Sequence, residues 1–135
     1  MNIIVRKYLD TDFNSVDKLL FDTFGYHRKN VKDARAVEFV ACLDDVIVGY
    51  FYLREEIDII QDFKTYHVEY VCVDSQYRGK GFGKKMMEYA IQYAKDHHAV
   101  RMELTSGNQR EVAHKLYLSL GFQKRDTSVF RKELV

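Results

Sequence analysis

The sequence predicts an α/β (α+β) fold, with about six to seven strands and three or four helices in a single domain spanning residues 1–135. Three observations carry this. From His67 to His98 a strand pattern becomes a helix pattern across a glycine cluster, so the apolar period changes from about 2 to about 3.6. Two further helix patterns, around 13–24 and 109–120, are interleaved with short β-rich runs. The 135 residues are 47% hydrophobic, enough for one packed core, and no linker-like tract divides them.

Taken in order, Asn2 to Lys7 reads as a first strand. Asp10, Thr11 and Asp12 then offer N-cap oxygens to a helix carrying Phe13, Val16, Leu20 and Phe24, which Gly25 ends. From Tyr26 to Ala36 the pattern is weak and basic, and a short helix or a loop fits equally well. Val37–Leu43 and Val46–Arg54 form a hairpin about Asp44-Asp45, with Gly49 marking a bulge. Residues 55–63 read as an acidic connection through Glu55, Glu56, Asp58 and Asp62. The central strand ends at Val73, and its helix carries Phe82, Met86, Tyr89, Ala90, Tyr93 and Ala94. Val100–Thr105 is a further strand and Gln109–Leu120 a further helix. Phe122–Lys124 and Ser128–Glu133 close the sheet as a last pair of strands.

A net charge of +1 gives no argument for a nucleic-acid partner or an anionic membrane. No apolar run approaches the ~20 residues of a membrane span, and the N-terminus lacks a signal-peptide pattern, so the cytoplasm is the expected location. Cys42 and Cys72 lie in strand patterns without CxxC spacing and read as buried free thiols. No residues have metal-ligand spacing, and no metal is expected.

The chemistry concentrates at the glycine bend. A strand that turns into a helix presents unpaired N–H groups at the positive end of the helix dipole, which suits an anion. Gly79, Gly81 and Gly83 keep side chains away from those groups, and Arg78, Lys80, Lys84 and Lys85 add positive charge. A diphosphate is the natural guest. GxGxxG fails because Lys84 or Met86 stands where a glycine is needed; Walker A fails at Arg78 and Lys85. What remains is Arg78-x-x-Gly81-x-Gly83.

That segment resembles the pyrophosphate loop of the GNAT N-acetyltransferase superfamily. A second block, from Asn108 through Ala113 and Tyr117 to Gly121-Phe122, is similar to the same family's later helix, and the element order fits throughout. The resemblance implies a mixed, mostly antiparallel sheet with helices on both faces. It implies acetyl-CoA as cosubstrate, held by the backbone of Val71 and Val73 along the pantetheine arm and by Arg78, Gly79, Lys80, Gly81, Phe82, Gly83 and Lys84 at the pyrophosphate, with Asn108 bonding the arm or capping the helix. Relatives often carry proline near Ser75, and this chain does not.

By the same resemblance, Glu69 and Tyr117 are the catalytic pair. Strand alternation places the Glu69 side chain on the same face as that of Val71. With pKa values near 4.3 and 10.4, direct proton abstraction from an ammonium is uphill by ~8 kcal/mol, so Glu69 is cast as an attractor of the cation and an organiser of a water relay. Tyr117 protonates the thiolate, uphill by only ~2 kcal/mol from reference values of about 8.5 and 10. The expected acceptor is a primary amine of a small molecule; a peptide or protein amine is one alternative and a non-catalytic acyl-CoA-binding module another. The acidic 55–62 stretch favours a polyamine or an aminoglycoside, the basic 26–35 stretch an amine that also bears an acid. Edge-strand pairing in the family points to a homodimer.

Overall fold

A computed structural model describes residues 2–135. The chain divides into two compact units, one ending at Thr105 and one running from Ser106 to Val135. The first holds a sheet whose strands stand in sequence order: β1 (Ile4–Lys7), β2 (Ala36–Leu43), β3 (Val46–Asp58), β4 (Phe63–Val73) and β5 (Arg101–Glu103). The first three ladders are antiparallel and β4–β5 is parallel. That parallel pair needs a crossover, which α2 (Phe82–Asp96) supplies.

Strand alternation sorts the apolar residues between two layers. On one face Val40, Cys42, Tyr50 and Cys72 pack with Val16, Leu19 and Leu20 of α1 (Phe13–Phe24). On the other, Phe39 stacks on Phe51 and meets Tyr89 and Tyr93 of α2. Phe39, Phe51, Leu53, Met86 and Met87 are fully buried, each contributing about 1.5–3 kcal/mol by leaving water. Gly49 admits α2 closely, since a Cβ there would lie 2.6 Å from Met86 Sδ and 3.2 Å from the Cys72 carbonyl.

The mixed, mostly antiparallel sheet with helices on both faces matches expectation; the strand count does not. The described residues form five strands, not six to seven, because residues 122–124 and 128–133 form none. In the second unit the one helix or strand is α3 (Glu111–Ser119). Gln123 to Ser128 is an unbroken polar run, and beyond it Val129, Phe130 and Leu134 are exposed, so no buried face offsets the entropy of ordering a strand.

Of the two readings open for 26–36, the structure has the loop: residues 25–35 contain no helix. Smaller differences have local causes. The acidic stretch is not a loose connection: β3 and β4 pair from Asp58–Phe63 inward and form one long hairpin. The β2–β3 bulge lies at Val48, one residue before Gly49, since Ala41 faces Gly49 and Cys42 faces Ile47. Asp12 does not cap α1 through its side chain. Its carboxylate instead accepts two bonds from Arg6, at 2.8 and 2.9 Å, and one from the Leu9 amide at 2.8 Å.

Candidate active site

The site begins at a second bulge. Tyr50 faces Cys72 and Tyr52 faces Glu69, so Phe51 alone stands opposite Tyr70 and Val71. Tyr70 takes up the extra residue at φ 52, a left-handed conformation costly for a tyrosine. Its ring stacks on Tyr52 and meets Phe24 edge-on, at 6.2 and 5.2 Å between centroids. The bulge also inverts the alternation. Glu69 lies opposite Tyr52 on the α1 face, whereas Val73 lies opposite Gly49, whose Cβ position faces α2. Val71, in step with Val73, is therefore on the face opposite Glu69, which corrects the shared face expected from plain alternation.

Beyond the bulge, β4 loses its neighbour. The β4–β5 ladder covers Thr65 to His67 and stops at Glu103, so Val68 to Val73 extend past it. The backbone of Val71 and Val73 thus lies where another extended chain can pair. One of those groups is already engaged, since Arg78 Nε donates to the Val73 carbonyl at 3.0 Å.

The chain then makes a 3-10 turn, Ser75–Tyr77, with the Asp74 side chain accepting from the Gln76 amide, and reaches the glycines. Gly79 and Gly81 have φ of 77 and 81, and Gly81 is the N-cap of α2. Lys85 N–H bonds to Gly81 O, leaving the N–H groups of Phe82, Gly83 and Lys84 without helical acceptors at the dipole's positive end. Phe82 itself is buried and stacks near Tyr77, so its part in anion binding is confined to its N–H. Lys80, Lys84 and Lys85 are exposed around this mouth. The donor set fits a diphosphate.

On the α1 face a cavity of about 650 Å³ opens between the sheet and residues 26–33. Tyr50, Tyr52, Arg54 and Tyr70 line its floor; Tyr26, Arg28 and Lys29 belong to its wall. Arg28 ties that wall down. Its guanidinium bonds to both Glu38 oxygens at 2.8 Å and stands over the Tyr8 ring at 5.0 Å. Burial works against the Arg28 charge, but the Glu38 bond prevails and raises its pKa. Tyr50 donates to Glu38 at 2.7 Å, and burial followed by that bond holds its phenol well above the usual range. Tyr52 is also raised, first by burial and then by the Glu69 carboxylate. Glu69 is half-buried, with Arg54 Nη2 at 3.6 Å.

Sequence reasoning marked the basic 26–35 stretch, which forms the wall, as an acceptor signal, but it missed the floor. The visible signal there was Tyr50 and Tyr52 at strand spacing; the Arg28–Glu38 bond joins residues whose pairing depends on the fold.

In the second unit, Tyr117 lies on α3, partly buried, with its ring 6.0 Å from that of Phe122. Burial raises its pKa, and Arg110 opposes the shift. Asn108 does not cap α3: the N-cap is Arg110, and Asn108 is exposed in the turn before it.

The family model described as acetyltransferase (GNAT) matches residues 3–122. N-acetylaspartate synthetase of Homo sapiens is 27% identical over 125 residues, covering 93% of this chain and 38% of that protein. The synthetase of Danio rerio is 31% identical over 121 residues, 90% of this chain and 39% of that protein. The chain thus spans well under half the length of these curated relatives. Among solved structures, a protein described as a transcriptional regulator from Bacillus halodurans C-125 superposes with a TM-score of 0.85 at 24% identity, covering 98% of this chain and 100% of that one. An acetyltransferase of Trypanosoma brucei gives 0.82 at 20% identity, with the same coverage. Likeness at these identities is likeness of fold.

Proposed function

Proceeding from the fact that this chain belongs to the acetyltransferase (GNAT) family, we propose that it is an acetyl-CoA-dependent N-acetyltransferase acting by direct transfer to a primary amine of a small molecule. One observation carries the reading most: a bulged strand that outruns its parallel neighbour leads straight into a glycine-rich helix N-terminus. An extended arm and a diphosphate are thereby served by one continuous run of backbone donors. The family match crosses both compact units, which supports reading the chain as a single acetyltransferase domain.

Acetyl-CoA supplies a thioester that an amine attacks, forming the amide C–N bond as the C–S bond breaks. In this reading the N–H groups of Phe82, Gly83 and Lys84, with the exposed lysines, hold the pyrophosphate. Val71 and Val73 offer backbone to the pantetheine arm, and the Val71 amide steadies the oxyanion. Glu69 draws the ammonium and orders a water that takes its proton. Tyr117 gives the departing sulfur a proton and is restored by the second proton that the nitrogen sheds as the amide forms, so the step balances without a covalent enzyme intermediate. A cavity of about 650 Å³ supports a small acceptor, as do relatives named for making N-acetylaspartate.

Thermal unfolding with acetyl-CoA, CoA and ATP tests the cosubstrate. A ligand at about 100 times its dissociation constant adds ~2.7 kcal/mol, so the midpoint is expected to rise with both CoA compounds and not with ATP. No rise at saturating CoA compounds would remove the phosphate-loop assignment. Binding without thiol release from any amine would favour the acyl-CoA-binding module instead.

A further inference from the structure

Resting on that acetyltransferase reading, we propose that the acceptor is an α-amino acid, or a compound of like spacing, whose acidic group is held by Arg54 while Glu69 draws its ammonium. Arg54 and Glu69 project from neighbouring strands on one face of the sheet, and Arg54 lines the cavity. Their charges stand 3.6 Å apart, and the other partner of Arg54, the exposed Glu56, is 3.4 Å away. Both separations exceed the ~2.7–2.9 Å of a charge-assisted hydrogen bond. The guanidinium therefore has donors to spare.

The second guanidinium at the cavity offers nothing comparable, since Arg28 is spent on Glu38 at 2.8 Å. An ammonium and a carboxylate on one carbon are separated by a distance of the same order as the Arg54–Glu69 pair. Such a zwitterion lies alongside with opposite polarity, each loose contact giving way to a closer one. The fold also decides between the two opposing charge signals in the sequence. The basic stretch forms the cavity wall, with Lys29 exposed on it, while none of Glu55, Glu56, Asp58 and Asp62 lines the cavity.

Matched acceptors test this: L-phenylalanine against phenethylamine, L-lysine against cadaverine, and L-aspartate against β-alanine, whose acid is one carbon further off. With wild type, kcat/KM is expected to favour the α-amino acid in each pair by at least about 10-fold. Arg54→Gln should abolish that preference by raising KM for the α-amino acids about 10- to 100-fold more than for the decarboxylated amines. Arg54→Lys should recover part of it, and Glu56→Gln should leave both classes as they were. Equal use of the decarboxylated amines by wild type, or equal loss of both classes in Arg54→Gln, would overturn the proposal.

The same amino acids are titrated into CoA-saturated protein while the unfolding midpoint is followed, a readout independent of turnover. A rise in wild type that Arg54→Gln lacks, its unliganded midpoint being retained, supports the site even if no acetyl transfer occurs. No rise with any amino acid overturns it, whatever becomes of the acetyltransferase reading.

Discussion

A proton donor is useful only while it still holds its proton, and burial of Tyr117 acts in that sense by lifting its pKa above the usual 10. The phenol stays protonated through the neutral range; any activity that depends on it is lost only as pH rises through the elevated value. Tyr117→Phe should therefore lower kcat by about 100-fold with little change in acetyl-CoA affinity, and erase that alkaline limb from the pH–rate profile. A large loss of affinity would make the ring a binding element and remove the acid role. Asp12 is the clearest structural case at this scale. The Arg6 bond, ahead of the Leu9 amide, holds its carboxyl below the ordinary carboxylate range, against the opposing effect of burial. A depressed folded pKa means a contribution fully present above about pH 4 and lost as pH falls through the folded value. Asp12→Ala should cost about 2–3 kcal/mol at pH 7 in urea unfolding, and the gap to wild type should narrow toward pH 2.

Among the elements, the glycine bend and the β4 bulge differ in how far the sequence announces them. The bend was legible because its chemistry is local: glycines where φ must be positive, then a helical period. Gly81→Ala isolates that requirement, since a Cβ there would have open space around it and the strain is wholly that of φ 81. It should destabilise by about 1–2 kcal/mol and weaken acetyl-CoA binding, whereas Gly81→Asn should be the milder change, asparagine tolerating that conformation better. Equal unfolding midpoints for wild type and Gly81→Ala would refute the left-handed cap. The bulge was not legible, because it is a mismatch between β3 and β4 and Tyr70 is an unfavourable residue for its conformation. What overrides that local preference is the packing of its ring on Tyr52 and Phe24. Reading β4 as an even strand therefore put Glu69 and Val71 on one face, when the extra residue separates them.

For the molecule as a whole, the succession of strands and helices in the first unit followed from apolar period and the helices on both faces from the family resemblance, while the cavity floor and the missing closing strands followed from neither. The cavity depends on Arg28 reaching Glu38, ten residues on, and on Tyr50 donating to the same carboxylate. The last segment carries β-favouring residues in Val129 and Phe130 but leaves both exposed, so propensity there has no packing to act with. Hydrogen exchange gives these contrasts a measurable order. Amides of β2 and of the Tyr50–Leu53 stretch of β3, and those in the interior of α2, should exchange slowest, and residues 123–135 close to freely. Acetyl-CoA then adds a sharper test. If the arm pairs with β4 and the diphosphate takes the free N–H groups, added protection should concentrate in Val71–Val73 and residues 79–85, above any uniform slowing of the sheet. Uniform slowing alone would mean that the ligand stabilises the fold without bonding to those amides, and its seat would lie elsewhere.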